Sequence, residues 1–284
     1  MKLLRVGSKG KEIPAILDGE GRPRDVSAIV PDFSPETLSF QLLDRLRQAD
    51  IATLPLLPAE ARIGAPLSRT GHFIAIGLNY ADHAAEGNVQ PPPEPIIFTK
   101  APNCLSGPND PIPLPRGSER SDWEVELAVI IGERCYEVAE ADALSKVFGY
   151  AVCNDVSERH FQMERAGQWL KGKSSPGFGP LGPWIVTADE IADPQHLPLF
   201  LELNGECMQD GNTAEMIFSV AYLIAYASRF FALEPGDIIT TGTPAGVGMG
   251  KKPPRYLKAG DQLRLGVSGL GEQRQTIVAT ATGK

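Results

Sequence analysis

The chain has 284 residues, which is enough to bury a full core in one large domain, or in a main domain with a smaller one. The formal net charge of −8 argues against nucleic-acid binding, and no apolar run reaches the length that spans a bilayer. The start of the chain turns polar too soon for a signal peptide, so we expect a cytoplasmic protein. The four cysteines are widely spaced and form no Cys-X-X-Cys pair, which indicates reduced thiols and neither a zinc site nor a disulfide framework.

The opening of the chain is predicted to form a small N-terminal domain over residues 1–70, followed by the main domain over 71–284. Short strands are expected at 3–6 and 13–17, since both segments are apolar and turn residues follow them. Residues 34–49 are predicted to form a helix, because the first of them, a serine, can cap it and the proline that follows fits its first turn.

The main domain is dense in short apolar segments separated by turns. Strands are predicted at 73–78, 96–100, 121–132, 147–153, 199–203, 237–240 and 261–265. Helices are predicted at 157–166, with Ser157 as the cap, and at 216–231, where apolar residues form a helical stripe. Asn204 and Gly205 predict a hairpin turn. Because strands and helices do not alternate regularly, we predict a mixed, strand-dominated α+β fold and not a parallel βαβ sheet.

The segment 121–132 carries the strongest functional signal. Its large apolar residues recur with a period of two, which places Glu124 and Glu126 on the same face of the predicted strand. Two carboxylates on a partly buried face are costly unless a cation neutralises them. Asp155 follows a buried strand, where its side chain can project beyond a sheet edge. Mg²⁺ and Mn²⁺ prefer oxygen ligands, so the three residues are candidate metal ligands; a solvated strand and a helix cap are the alternatives.

Two pairs of polar residues are spaced to share a helical face. His83 and Glu86 are three residues apart, and a carboxylate beside a histidine orients the ring for activation of water. Arg159 and Gln162 have the same spacing and suit a carboxylate and a carbonyl or hydroxyl of a substrate, whereas His160 points away from them. The alternative for both pairs is a solvated helix face.

Two glycine-rich segments are candidate anion sites. Residues 171–184 are predicted to be a loop whose lysines hold an anionic group or are simply solvated. Residues 167–174 match the letters of a P-loop, but a helix-like segment precedes them and a Pro-Gly pair follows, so the context does not fit phosphate binding. Residues 236–248 run from a strand into a turn rich in hydroxyls and N–H groups, which suits a carboxylate or serves only as a structural turn.

Taken in order, these motifs resemble the fumarylacetoacetate hydrolase family over about residues 71–270. Each motif alone is a weak indication of the family, whereas their occurrence in this order is specific for it. The resemblance rests on Gly77-Leu78-Asn79-Tyr80 with His83 and Glu86, Phe98-Thr99-Lys100, Trp123-Glu124-Val125-Glu126-Leu127, Asn154-Asp155-Val156-Ser157-Glu158-Arg159 with Gln162, Lys171-Gly172-Lys173, Pro180-Leu181-Gly182-Pro183-Trp184, Asn204-Gly205, Glu234-Pro235-Gly236-Asp237, and Gly242-Thr243-Pro244-Ala245-Gly246-Val247-Gly248.

The resemblance implies a mixed β-sandwich roll with a small N-terminal domain, assembled as a homodimer, and a small-molecule substrate. It implies Mg²⁺ or Mn²⁺ on Glu124, Glu126 and Asp155, with Ca²⁺ as a further occupant in a crystal. It implies that the catalytic residues are His83, Glu86 and Lys173. It implies that the substrate-binding residues are Tyr80, Lys100, Arg159, Gln162 and Thr243.

Within the family, the chain is most similar to bacterial hydrolases of 2,4-diketo-3-deoxy-L-rhamnonate or -L-fuconate, relatives of which are often named ureidoglycolate lyase. The implied reaction is metal-dependent hydrolysis of a C–C bond in a 2,4-diketo acid, which gives pyruvate and a small acid such as lactate. Oxaloacetate decarboxylation, ureidoglycolate cleavage and keto–enol isomerisation could use the same site and stay open, as does a non-catalytic binding role. One departure is Pro176-Gly177, where the family often has Asp-Thr.

Overall fold

Strands dominate the computed structural model, which describes residues 1–87 and 89–280. In chain order the strands are β1 (Lys2–Val6), β2 (Ile13–Leu17), β3 (Pro23–Asp25), β4 (Ile63–Gly64), β5 (Phe73–Gly77), β6 (Ile96–Lys100), β7 (Leu105–Ser106), β8 (Ile112–Pro113), β9 (Ser121–Asp122), β10 (Val125–Ile131), β11 (Val147–Asn154), β12 (Ser157–Glu158), β13 (Gly179–Thr187), β14 (Pro198–Leu203), β15 (Glu206–Asn212), β16 (Ile238–Thr240), β17 (Gln262–Val267) and β18 (Gly271–Val278). The α-helices are α1 (Phe40–Gln48), α2 (Ala81–Glu86), α3 (Glu140–Ala143), α4 (Arg159–Met163), α5 (Leu170–Lys173) and α6 (Val220–Ser228). None of the helices in the described part of the chain has the length and apolar character needed to cross a bilayer.

Two large sheets form the body of the protein. The larger runs in the order β3-β2-β1-β13-β11-β10-β16-β5-β6, with β4 beside β1 and β7 beside β13. Most neighbouring strands are antiparallel, but β16 and β5 are parallel. The second sheet runs β15-β14-β17-β18-β8, and its strands β14 and β17 pack against β10. The predicted strand-dominated α+β fold with mixed sheets is therefore confirmed.

The opening strands extend the larger sheet, because β1 pairs with β13 and places Leu3 opposite Ile185. A bidentate ion pair reinforces this junction: Arg62 donates to Asp110 from Nε at 2.7 Å and from Nη2 at 2.6 Å. The division into domains 1–70 and 71–284 stays a prediction.

The strand predicted over 121–132 is interrupted. Its first two residues form β9, which pairs with β12, and its regular part is β10, buried on both faces. Between them, Trp123 N donates to Asp122 Oδ1 at 2.9 Å and Glu124 N donates to Asn154 Oδ1 at 3.1 Å. Because side chains accept the hydrogen bonds of these two N–H groups, residues 123 and 124 do not join the regular strand pairing. Glu124 therefore lies just before β10, and Glu126 lies within it.

Two predicted helices start later than expected, because polar side chains bind the residues before them. The helix predicted from Ser34 begins at Phe40 with Ser39 as its cap. Thr37 Oγ1 donates to Asp32 O at 2.6 Å, which stabilises a separate turn ahead of it.

The helix predicted over 216–231 is α6, capped by Ser219. Asn79 accounts for the late start, since its main-chain oxygen accepts from Ile217 N and its Oδ1 accepts from Phe218 N, both at 2.8 Å. Those two residues therefore stay outside the helix.

The segment 157–184 differs from its prediction in two ways. Ser157 belongs to β12 and does not cap a helix; Glu158 caps α4 by accepting from His160 N at 3.1 Å. The loop predicted over 171–184 is confirmed at 174–178 and is wrong at both ends, because its lysines end α5 and Gly179 begins β13. A Cβ on that glycine would lie 2.7 Å from Cε1 of Phe73, so its small size reflects tight packing inside a sheet.

The hairpin predicted at Asn204-Gly205 is confirmed and joins β14 to β15. The two residues have φ of 54° and 81°, the left-handed values that a two-residue hairpin turn requires.

Candidate active site

A cluster of three buried carboxylates forms where β10 begins and β11 ends. The antiparallel register sets Val125 opposite Asn154, and Asp155 N donates to Glu124 O at 2.9 Å. One ligand oxygen from each of Glu124, Glu126 and Asp155 lies within 4.8 Å of the others. The structure thus brings together the three residues predicted to hold a metal.

Lysine and arginine side chains surround these carboxylates. Lys173 Nζ lies 2.6 Å from Glu124 Oε2 and 2.6 Å from Asp155 Oδ2. Lys100 Nζ donates to the other oxygen of Asp155, and Arg159 Nη2 lies 2.7 Å from Glu124 Oε1. The cluster is therefore a network of paired charges in the protein interior.

Carboxyl groups outnumber cationic groups in this network. The buried acids are Asp122, Glu124, Glu126 and Asp155, and the buried cations are Lys100, Arg159 and Lys173. Glu126 has no ion-pair partner among the described residues. Burial, followed by the charges of Asp155 and Glu124, raises the pKa of Glu126 well above its usual range. Although burial opposes it, the charges of Lys173 and Arg159 hold the pKa of Glu124 below its usual value.

The donor set fits a hard divalent cation. All three side chains offer carboxylate oxygens, which Mg²⁺ and Mn²⁺ prefer, and a cation would stabilise the ionised form of Glu126. The cluster can therefore hold a divalent metal, and its geometry does not distinguish Mg²⁺ from Mn²⁺.

Arg159 is anchored by a residue that sequence reasoning missed. Its Nε donates to Asp122 Oδ2 at 2.8 Å, and its Nη1 donates to Gln162 Oε1 at 3.1 Å. The predicted shared face of Arg159 and Gln162 is confirmed. Asp122 also accepts from Gly248 N at 2.7 Å and Met249 N at 3.0 Å. Its position directly before Trp123-Glu124 is the only sequence signal that could have marked it.

The glycine-rich segment after β16 binds carboxylates of the protein itself. Gly242 N donates to Glu126 Oε2 at 2.9 Å, and Gly246 N donates to Glu86 Oε1 at 3.0 Å. Thr243 Oγ1 donates to Val125 O at 2.9 Å. The N–H groups of Gly242 and Gly246, expected to bind a substrate carboxylate, thus bind carboxylates of the protein and fix the position of Glu126 and Glu86.

His83 and Glu86 lie side by side on α2, as their spacing predicts. His83 Nδ1 is 3.5 Å from Glu86 Oε2 and has no hydrogen-bond partner among the described residues. Burial raises the pKa of Glu86, but the nearby imidazole of His83 and the hydrogen bond from Gly246 outweigh burial and leave the pKa lowered. Glu86 is therefore ionised beside the imidazole, where it favours the N–H tautomer at Nδ1 and leaves Nε2 as the basic nitrogen.

Most of the predicted residues line one cavity of about 250 Å³. On its walls are His83, Glu124, Glu126, Arg159, Gln162, Lys173 and Thr243. Four predicted residues lie behind this surface: Tyr80, Glu86, Lys100 and Asp155. A larger cleft of about 540 Å³ lies beside β2 and α1, and none of the predicted residues lines it.

Tyr80 and Lys100 lie deeper than a substrate-binding role suggests. Tyr80 is fully buried, its hydroxyl has no partner among the described residues, and burial raises its pKa. Lys100 is equally buried and pairs with Asp155, which also lies behind the cavity surface. Their role in substrate binding stays a prediction.

Sequence reasoning also missed an apolar wall. The cavity is lined by Leu78, Val89, Phe98, Met163, Trp169 and Met249 in addition to its polar residues. Phe98 shares a face of β6 with Lys100, two residues away, so the motif that marked the lysine also contained this wall residue.

Comparison with known proteins agrees with this geometry. Residues 72–278 match the family described as fumarylacetoacetate (FAA) hydrolase C-terminal. A relative from Burkholderia multivorans, whose name provisionally calls it a hydrolase and gives no substrate, is 59% identical over 97% of this chain and 98% of its own.

Two solved structures extend the comparison. A fumarylacetoacetate hydrolase from Exiguobacterium antarcticum superposes with a TM-score of 0.86 at 36% identity, over 98% of this chain and 99% of that one. Maleylpyruvate hydrolase from Sphingobium sp. SYK-6, solved with manganese(II) and pyruvate, gives a TM-score of 0.83 at 30% identity, over 99% and 100%. The fold and site are those of an enzyme, and the chain belongs to the fumarylacetoacetate hydrolase family.

Proposed function

We propose that the protein is a metal-dependent hydrolase of 2,4-diketo acids (acylpyruvates), with a 2,4-diketo-3-deoxy sugar acid as substrate and pyruvate and lactate as products. The observation that carries the proposal is that His83, Lys173, Glu124 and Glu126 line one cavity. The related maleylpyruvate hydrolase, solved with manganese(II) and pyruvate, supports both the metal and one product.

The reaction adds water to an acylpyruvate. The water oxygen bonds to the distal carbonyl carbon, and the bond from that carbon to the methylene carbon breaks. The electron pair moves to the methylene carbon as the enolate of pyruvate, which a proton converts to the methyl group. A divalent cation on Glu124, Glu126 and Asp155 would act as a Lewis acid that favours this enolate.

The protein's own side chains supply the remaining steps. His83, with the ionised Glu86 beside it, takes the proton from water and returns a proton to the enolate. Arg159, anchored on Asp122, attracts the carboxylate of the pyruvate half, and Gln162 and Thr243 position its oxygens. Lys173 borders the cavity and stabilises the negative charge that develops there.

Pyruvate release from purified protein tests the proposal. We would assay acylpyruvates, 2,4-diketo-3-deoxy sugar acids, oxaloacetate and ureidoglycolate with Mn²⁺ or Mg²⁺, and again with EDTA. We expect metal-dependent pyruvate and lactate from the sugar acids, and a loss of roughly 100-fold or more in kcat for His83→Ala. The matched control is His196→Ala, since that histidine is exposed and its ring pairs with Asp193.

Other outcomes would identify a different reaction. CO₂ and pyruvate from oxaloacetate alone, unaffected by His83→Ala, would establish a decarboxylase. Cleavage of ureidoglycolate alone would establish a lyase, and no turnover of any compound would overturn the enzymatic proposal. The homodimer and the cytoplasmic location stay predictions.

A further inference from the structure

The cavity has a charged floor and an apolar mouth. Glu126 and Lys173 on the floor are almost fully buried, whereas Met163 is 52% exposed and Met249 is 39% exposed. The apolar wall defined above includes both methionines at the mouth, and its half-buried residues Phe98 and Trp169 lie between the mouth and the floor. A substrate that places its pyruvate half on the charged floor therefore directs its acyl group along the apolar wall.

Phe98 and Trp169 form the middle of that wall. Their rings meet edge to face, with centroids 5.1 Å apart and an interplanar angle of 67°. Lys173 Nζ lies 5.3 Å from the Phe98 ring centroid, so the aromatic pair begins directly beside the charged floor. The acyl carbons next to the cleaved bond would contact Phe98, and those further out would contact Trp169.

The position of the Trp169 ring depends on a glycine. A Cβ on Gly77 would lie 2.4 Å from Cζ3 of Trp169 and 2.9 Å from Cη2. The indole ring therefore packs directly on the main chain at the end of β5, and any larger residue there would displace it. Trp169 is thus a fixed part of the wall.

The wall offers no charge to a second carboxylate. Among the described residues that line the cavity, the only lysine and arginine are Lys173 and Arg159, and both lie at the charged floor, where the pyruvate half would bind. A carboxylate at the far end of the acyl group would lose water against Phe98 and Trp169 without gaining a partner. An apolar end would instead gain from burial.

We infer that the enzyme selects acylpyruvates whose acyl group is uncharged and apolar at its far end, and that Trp169 is the residue that determines this specificity. The inference rests on the proposed function and deepens it. The lactoyl group of the proposed sugar acid ends in a methyl group and meets this requirement.

A pair of substrates matched in shape tests the selectivity. In 4-methylpentanoylpyruvate an isopropyl group replaces the terminal carboxylate of succinylpyruvate. We expect kcat/KM to be roughly 100-fold higher for the apolar acid. We also expect about a fourfold gain per methylene from acetylpyruvate to butanoylpyruvate. Equal or better cleavage of succinylpyruvate would overturn the inference and leave the hydrolase proposal intact, whereas no pyruvate from any acid would overturn both.

Variants of Trp169 test its role. Trp169→Ala should raise KM for 4-methylpentanoylpyruvate by roughly 10-fold or more and should raise KM for acetylpyruvate much less, because the short acetyl group ends before Trp169. Trp169→Lys should raise kcat/KM for succinylpyruvate, since it adds the missing cation. The control is Trp184→Phe, because that ring lies beneath Lys2, away from the cavity. Unchanged selectivity in both Trp169 variants would overturn the assignment.

Binding without turnover gives an independent readout. In the His83→Ala background, quenching of tryptophan fluorescence by 4-methylpentanoylpyruvate should be clearly weaker with Trp169→Phe than with Trp184→Phe. Trp123, buried beside Glu124, is present in both variants and contributes equally to both. Equal quenching in the two variants would show that the acyl group lies away from Trp169.

Discussion

Asp122 and Arg159 form a fully buried ion pair, with Arg159 Nε 2.8 Å from Asp122 Oδ2. The same carboxylate accepts the main-chain N–H groups of Gly248 and Met249. One side chain thus joins the arginine on α4 to the glycine-rich segment that borders the cavity. This contact connects the stability of the fold to the shape of the site.

Replacing Asp122 should affect both stability and substrate binding. Asp122→Ala leaves Arg159 buried without its partner, so we expect the free energy of unfolding to fall by about 3–5 kcal/mol. We expect KM to rise, because Arg159 and Met249 lose their shared anchor. Urea unfolding and steady-state kinetics measure the two effects. The control is Glu206→Ala, which removes an exposed pair with Arg255 and should cost about 0–1 kcal/mol.

Divalent metal should stabilise the folded protein through Glu126. The wild-type protein should gain about 2.7 kcal/mol when free Mn²⁺ reaches 100 times its Kd, because Mn²⁺ binds the folded state. Glu126→Gln removes a candidate ligand, and the raised pKa of Glu126 means that no charge is lost in the metal-free protein. Its thermal midpoint should therefore lie close to that of wild type in EDTA and respond weakly to Mn²⁺. Calorimetry measures both midpoints, with Glu202→Gln on the second sheet as the control. An unchanged Mn²⁺ response in Glu126→Gln would exclude that carboxylate as a ligand.

The Arg62–Asp110 pair should make the free energy of unfolding depend on pH. Burial would raise the pKa of Asp110, but hydrogen bonds from Arg62 and Gly107 outweigh it and leave the pKa lowered. A carboxyl with a lowered pKa in the folded state contributes stability above its unfolded pKa of about 3.9 and loses it as pH falls through the folded pKa.

Asp110→Asn should therefore destabilise the protein at neutral pH by about 1.5–3 kcal/mol, the usual worth of hydrogen bonds to a charged group. The difference from wild type should shrink as pH falls below about 4. Unfolding curves at a series of pH values measure it, with Asp44→Asn in an exposed pair as the control. A difference that stays constant down to low pH would rule out the ionised pair as its source.

Thiol reactivity should distinguish one cysteine from the other three. Cys207 is exposed, whereas Cys104, Cys135 and Cys153 are buried. Burial raises the pKa of Cys104 to about 11 and also raises the pKa of Cys153, so neither forms a thiolate readily. Native protein should release one equivalent of chromophore from Ellman's reagent, and unfolded protein four. Cys207→Ser should abolish the native reaction, and a second fast-reacting thiol would contradict the structure.

Strands and turns could be predicted from the sequence because they depend on residues that are close together along the chain. The strand at 96–100 has the predicted bounds, and the hairpin at Asn204-Gly205 forms as expected. The first residue of α6 could not be predicted, since Asn79, which is distant along the chain, binds Ile217 and Phe218 and keeps them outside the helix. The apolar stripe of the helix itself does not indicate that such a partner exists.

The sequence alone determined the kind of site. Glu124, Glu126 and Asp155 were candidates from strand period and position, and the structure brings them together because β10 and β11 pair in antiparallel register. Only the tertiary structure decided what surrounds them. The lysines that pair with the carboxylates, the anchor at Asp122 and the apolar wall come from separate segments. Their contacts depend on distance in space, which residue spacing along one chain does not encode.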